Sequence, residues 1–289
     1  TDLKGNKKFW TVLMSALCIA ATVGLAFTGP GTIVWALLMV VISNFAYNVG
    51  ETLNSAFLPE IADERSMGKV SGWGWSFGYC GGLLTLGLSL ALVLVMQSNG
   101  AGAEDYVPYT MLITAAIFLF AALPLALWLK ERAVPRSNAA FWPLVKQSQA
   151  SLVKTFKSLP EHKNFAWLVA SGLSFQGGIA VVVTLAAVYA DQAMGFTPDE
   201  TILLVLLVNI TAAIGAFAFG YVEDRIGHKN ALIVTLFIWM TMVGVAYFAQ
   251  TKPIFWIAAN LAGIAMGSSQ SAGRALVGVL APEKDRAAF

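Results

Sequence analysis

Long apolar runs separated by short polar links are the dominant pattern along this chain. A helix that crosses a bilayer needs about 20 mostly apolar residues. Eight windows meet that length, at about 9–28, 33–58, 70–96, 107–129, 165–190, 202–220, 231–249 and 254–280. The runs are continuous and do not alternate, and lipid admits only helices or closed barrels. The pattern therefore predicts an all-α membrane protein with eight transmembrane helices.

Composition agrees with a lipid environment. Of the 289 residues, 57% are hydrophobic and only 12% are charged, whereas a soluble domain is about 25% charged. The net charge of +2 and the scattered basic residues argue against a nucleic-acid partner. Cys18 and Cys80 lie inside apolar runs with no metal-binding or redox spacing, so both are expected to be buried.

The positions of Lys and Arg predict the orientation in the membrane. All of the 18 basic residues except Lys252 and Arg274 fall on links that share one side with the N-terminus. Basic links face the cytoplasm, so both ends are expected there, with a bacterial inner membrane as the expected location. The chain begins without an initiator Met, and we expect it to be a fragment of a longer protein.

The longest polar link divides the spans four and four. We therefore expect an N-terminal bundle at 1–130, a cytoplasmic linker at 131–163 and a C-terminal bundle at 164–289. Within the linker, Val145, Leu152, Phe156 and Leu159 fall near one helical face. This spacing predicts a helix lying in the membrane interface. A structural connector is the favoured role, and a sensor of anionic lipids is the alternative.

An internal repeat relates the two halves. The pattern D-x-x-G-x-K occurs at 2–7 and again at 224–229, which is an offset of 222 residues. The pair Pro59-Glu60 returns as Pro282-Glu283 at nearly the same offset. Because six predicted spans lie between the two copies, the repeat keeps its orientation in the membrane. Parallel repeats of this kind are typical of the two halves of major-facilitator transporters.

The loop from Gly220 to Lys229, which contains Asp224-Arg225-Ile226-Gly227, resembles the signature loop of the major facilitator superfamily. The segments 54–62, 70–75 and 270–274 are similar to the "unknown major facilitator" family, which is related to fungal vacuolar amino-acid effluxers. The resemblance implies a fold of two parallel-repeat helical bundles with twelve spans. The chain would then hold spans 3–10, without spans 1, 2, 11 and 12.

The resemblance implies a secondary transporter that moves a small solute by alternating access. An amino acid or another small metabolite is the expected solute, and a proton or another ion could drive it. Where the family tends to carry an acidic residue before a glycine, this chain has Gln176-Gly177, and Gln cannot carry a proton. Two alternatives remain open: a transporter for cell-wall peptides or lipid-like substrates, and a non-transporting scaffold or receptor with the same fold.

Charged residues inside predicted spans are candidates for a gate, because they are costly in lipid. Glu51 belongs to a polar stripe with Asn44, Asn48 and Ser55, and Arg274 lies 223 residues after Glu51. We expect Arg274 to pair with Asp224 in one of the two access states. The signature-loop residues Arg225, Gly227 and Lys229 belong to the same predicted gate. A static ion pair whose side chains reach toward the membrane surface is the alternative.

Polar side chains deeper in the spans are candidates for solute contact, namely Gln176, Asn209 and Asn48. Plain hydrogen bonds between helices are the alternative for each.

A four-residue glycine spacing at Gly74, Gly78 and Gly82 predicts close helix packing. Neither the two His residues nor any other pattern in the sequence indicates a catalytic site, a cofactor or a metal. We therefore expect a protein that is not an enzyme.

Overall fold

The computed structural model describes residues 6–63, 65–131, 143, 149–150 and 163–280. Its helices are α1 (Lys7–Leu25), α2 (Ile33–Ser55), α3 (Leu58–Ile61), α4 (Met67–Ser98), α5 (Ala103–Trp128), α6 (Lys163–Gln192), α7 (Pro198–Ile226), α8 (His228–Tyr247) and α9 (Lys252–Leu280). The described residues contain no strand. The prediction of an all-α membrane protein is confirmed.

Seven of the eight predicted spans pass a test of length and hydropathy among the described residues: Lys7–Leu25, Ile33–Ile61, Met67–Ser98, Ala103–Trp128, Ala166–Gln192, Glu200–Ile226 and His228–Tyr247. The eighth forms α9, which is not among them. Ser268, Ser269 and Ser271 make α9 more polar, and all three are buried. Since α9 packs mainly on α7 and α8, much of its surface faces protein, where small polar residues allow helices to approach closely.

The chain forms two compact units. The first consists of Thr1–Phe57 and Gly81–Lys146, and the second of Leu58–Cys80 and Gln147–Phe289. In the first unit, α1 packs on α2 and α5. In the second, α9 packs on α7 and α8. Most of the predicted linker and its interfacial helix lies outside the described residues, so those domain boundaries stay predictions.

The two cysteines differ in their surroundings. Cys18 is buried in the first unit, with its Sγ 3.7 Å from Ser43 Oγ. Cys80 is exposed, so its predicted burial is wrong. Cys80 lies on a part of α4 whose surface the described residues leave uncovered, whereas α2 covers Cys18.

Local signals set both ends of α7. At its start Thr197 Oγ1 accepts a hydrogen bond from Glu200 N at 3.3 Å, and Glu200 Oε2 accepts one from Thr197 N at 2.8 Å. Pro198 follows the cap, where a missing N–H costs nothing. At its end Gly227 adopts φ +86°, a conformation that strains other residues. The chain turns at this glycine, and α8 begins directly at His228.

The start of α4 lies very close to α7. A Cβ added at Gly72 would meet the carbonyl oxygen of Ala216 and the Cα of Gly220, and one at Gly68 would meet Gly220 O at 2.9 Å. Neither glycine was predicted to be a packing position. Of the three glycines that were, Gly74 has the Arg274 guanidinium 2.9 Å from the position of a Cβ.

The other two glycines of the predicted packing motif, Gly78 and Gly82, have no described atom within 4 Å of the position of a Cβ. Their packing role stays a prediction.

Candidate functional site

The first turns of α4 are held by two charged side chains from distant parts of the second unit. Asp224, in the last turn of α7, has a side chain that is only 6% exposed. Its Oδ1 accepts a hydrogen bond from Gly68 N at 3.0 Å, and its Oδ2 accepts one from Lys69 N at 3.3 Å. The Lys69 ammonium lies 3.9 Å from the same carboxylate. Because the first amides of a helix lack acceptors within the helix, Asp224 supplies the acceptors that α4 itself cannot provide.

Arg274 of α9 binds α4 at Ser71, three residues after Gly68. Its Nε donates to Ser71 Oγ at 3.1 Å, and its Nη2 donates to Ser71 O at 2.8 Å. The guanidinium carbon lies 5.6 Å from the centre of the Trp75 ring, within the range of a cation–π contact. Ser71 is fully buried and donates to Ser271 O at 3.0 Å. We call the contacts of Asp224 and Arg274 with residues 68–71 the α4 latch.

The predicted partners Asp224 and Arg274 thus bind the same stretch of α4 in this structure. Their direct pairing in one of two access states stays a prediction. Of the other signature-loop residues, Arg225 and Lys229 are exposed and Gly227 forms the turn between α7 and α8. Asp2 and Gly5 of the first motif copy lie outside the described residues.

A buried acid-base pair adjoins the latch. Glu223 is fully buried, and its Oε2 lies 3.3 Å from Nδ1 of His228, whose side chain is 12% exposed. Glu223 Oε1 and Ser271 Oγ are both buried without a hydrogen-bond partner in the described part of the chain. The sequence did not indicate Glu223, because the apolar run ends at 220 and the residue falls in the polar link that follows. A Glu followed by the D-x-x-G turn and a His five positions later was the available signal.

Glu51 lies in the first unit. It lines a cavity of about 160 Å³ together with Thr11, Ser15, Tyr47 and Asn54. The polar stripe on α2 therefore reaches this cavity at Glu51, while Asn44 and Asn48 are exposed. The equivalence of Glu51 and Arg274 in the repeat, and a gating role for Glu51, stay predictions.

The three candidates for solute contact do not form a common site among the described contacts. Asn48 Nδ2 donates to Asn44 O at 2.7 Å, and Asn209 Nδ2 donates to Val205 O at 2.8 Å. Both amides therefore bond to their own helices, and Gln176 is exposed on α6. Their role in solute binding stays a prediction.

Comparison with known proteins finds one family match and several transporter relatives. The model of a family described as "Vacuole effluxer Atg22 like" matches residues 1–289. The chain is 24% identical over 286 residues to the uncharacterized MFS-type transporter YxiO of Bacillus subtilis (strain 168), covering 98% of this chain and 66% of YxiO. It is 23% identical over 193 residues to autophagy-related protein 22 of Yarrowia lipolytica (strain CLIB 122 / E 150), covering 60% of this chain and 32% of that protein.

A third relative bears the name of a solute. The chain is 27% identical over 128 residues to the probable 4-methylmuconolactone transporter of Cupriavidus pinatubonensis (strain JMP 134 / LMG 1197), covering 44% of this chain and 30% of the relative. The chain thus spans 66% of the length of YxiO and about a third of the other two relatives.

Proposed function

The chain belongs to the vacuole effluxer Atg22-like family, and from that premise we propose that the protein is a secondary transporter that moves a small solute by alternating access. It is an integral, multi-pass membrane protein with MFS-type relatives. The proposed solute is an amino acid or another small metabolite, in keeping with the small lactone in the name of one relative. The proposed location is the bacterial inner membrane, with the ends of the chain in the cytoplasm.

The α4 latch is the observation that carries this proposal. Alternating access requires contacts that differ in strength between two states. The latch joins residues that are more than 150 positions apart through hydrogen bonds to charged groups. Such bonds contribute about 1.5–3 kcal/mol each. Breaking a few of them would therefore cost enough free energy to shift the population from one access state to the other. The latch lies at the end of α4 that the positions of the basic residues assign to the cytoplasm.

Solute binding and uptake by the full-length protein test the proposal. We would reconstitute the protein in vesicles and offer radiolabelled amino acids and 4-methylmuconolactone, with the same solutes in a thermal-shift series. A transporter should take up at least one solute above the level of empty vesicles and show a higher Tm with that solute. Binding without uptake would instead favour a receptor, and neither effect across the panel would favour a scaffold.

Replacing Arg274 by alanine should shift the balance between the access states. The change removes two hydrogen bonds to Ser71, and the loss of one charged hydrogen bond changes an equilibrium about tenfold or more. Single cysteines at Ser66 and Ser98, at either end of α4, would report accessibility in a Cys18→Ser, Cys80→Ser background. We expect the labelling rate at 66 relative to 98 to rise about tenfold.

The exposed Arg225 offers a comparison for that substitution, since Arg225→Ala removes the same charge from the signature loop. Because Arg225 is exposed whereas Arg274 binds Ser71, we expect Arg225→Ala to change the labelling ratio less than Arg274→Ala does. If Arg274→Ala labels like the parent protein at both positions, Arg274 has no part in the gate.

A further inference from the structure

Glu223 is a buried carboxylate that the latch does not use. Its side chain has no exposed surface, and His228 is a hydrogen-bonding neighbour at 3.3 Å. Its second oxygen, Oε1, and the hydroxyl of Ser271 are both buried without a close hydrogen bond to a described residue, although the hydroxyl lies near enough to interact with the carboxylate. A hydroxyl can donate to an ionised carboxylate or accept from a protonated one, so Ser271 suits either state. Burial is what makes the charged state costly, and a proton on Oε1 would remove the charge.

The surrounding charges distinguish Glu223 from Asp224, the acidic residue next to it. Asp224 accepts two backbone amides of α4 and lies 3.9 Å from the Lys69 ammonium, so its negative charge is well compensated. Arg274 of α9 donates to Ser71. The neighbours of Glu223 are His228 of α8 and Asp224, which carries the same charge on the same helix. Two adjacent carboxylates hinder each other's ionisation, and Glu223 is the less compensated of the two.

Glu223 also lies against the start of α4. A Cβ added at Gly68 would lie 2.7 Å from the Cβ of Glu223 and 2.8 Å from Asp224 Oδ1. The N-terminus of a helix carries a partial positive charge, and nearby carboxylates stabilise it. Neutralising Glu223 therefore removes one of the two negative charges beside this helix end.

From these contacts we propose that Glu223 and His228 form a proton-binding site, and that proton uptake there loosens the start of α4 from α7. The proton comes from water and binds Glu223 Oε1, which then donates it in a hydrogen bond to Ser271 Oγ. It returns to water when the site is emptied. Proton binding stands independently of transport, whereas its use as a step of alternating access rests on the proposed function.

Infrared difference spectroscopy tests the proton site directly. Spectra of the full-length protein in nanodiscs, recorded between about pH 8 and about pH 5, the range in which His also titrates, should show the band of a buried protonated carboxyl group. Glu223→Gln should abolish that band, and Glu51→Gln, a second glutamate inside a span, should not. His228→Gln should keep the band but change the pH at which it appears. A band that persists in Glu223→Gln would overturn the proposal.

Hydrogen exchange at residues 67–71 tests the link to α4. Relative to Glu223→Gln at each pH, exchange in the parent protein should be about 2- to 5-fold slower near neutral pH, the effect expected of one charge at a helix end. The two proteins should converge at acidic pH, because Gln imitates the neutral glutamic acid. If the ratio of the two exchange rates is the same at every pH, the protonation of Glu223 does not affect the start of α4 and that part of the proposal is overturned. Neither measurement needs a solute, so a protein that titrates as expected but transports nothing would refute only the proposed function.

Discussion

Replacing Asp224 by alanine should speed hydrogen exchange at Gly68 and Lys69 by about 10- to 100-fold, as expected for the loss of charge-assisted hydrogen bonds. These two amides stand in the first turn of α4, where a helix offers them no acceptor. The Asp224 carboxylate takes both, at 3.0 and 3.3 Å. Exchange measured by mass spectrometry on peptides that cover residues 66–72 would report the change.

Asp105 provides a control at a simpler helix start. Its Oδ2 accepts Gly102 N at 2.9 Å at the start of α5, in an exposed position and within one turn of the chain. Asp105→Ala should affect exchange at the start of α5 and leave residues 66–72 unchanged. Parent-like exchange at Gly68 and Lys69 in Asp224→Ala would mean that α4 is held by other contacts and that the latch is not a gate.

The sequence predicted which residues of the latch carry charge but not what they bind. Asp224 followed from the signature loop, and Arg274 from the cost of a charge within a span. Three of the hydrogen bonds go to backbone groups of residues 68–71, and any residue type can supply a backbone amide or carbonyl. No side-chain pattern could indicate those three. Side chains are all that a sequence displays, and from side chains alone the two opposite charges are expected to pair with each other.

Hydropathy predicted the helices well where they resemble lipid-facing spans. The hydropathy of α9 marks it less clearly as a membrane span, because this helix packs on α7 and α8 and needs small residues more than apolar ones. The same reasoning explains the glycines. A four-residue spacing indicates that one helical face is small, but which glycine meets another helix depends on where the axes cross. At Gly68 and Gly72 the crossing partner is α7.

Polar residues within spans were the least informative signal. Asn48, Asn209 and Asn260 each donate to the carbonyl four residues earlier on the same helix. A backbone carbonyl is always available to such a side chain, so a lone amide in a span need not mark a solute or another helix. Glu223 differs because a carboxylate cannot donate to a carbonyl. Its burial therefore demands a neighbour, and this is why a buried acid carries more functional information than a buried amide.

Replacing Gly72 by alanine should destabilise the second unit by about 1–3 kcal/mol, the cost expected of overpacking a close contact. The added methyl group would meet the carbonyl oxygen of Ala216 and would lie 3.0 Å from the Cα of Gly220, and both are backbone atoms. Backbone cannot rotate away as a flexible side chain can, so α4 and α7 must separate. Thermal unfolding in detergent should show a lower Tm, and exchange at residues 67–71 should accelerate at the same time.

Gly78 is the matched control on the same helix, because no described atom lies within 4 Å of the position of its Cβ. Gly78→Ala should be neutral or stabilising by up to about 1 kcal/mol, since alanine favours the helical conformation. The comparison separates the effect of the crossing from that of helix propensity. A loss of stability in Gly78→Ala would instead support the packing motif expected from the spacing of Gly74, Gly78 and Gly82. Equal stabilisation by both substitutions would show that α4 and α7 do not depend on a close approach at Gly72.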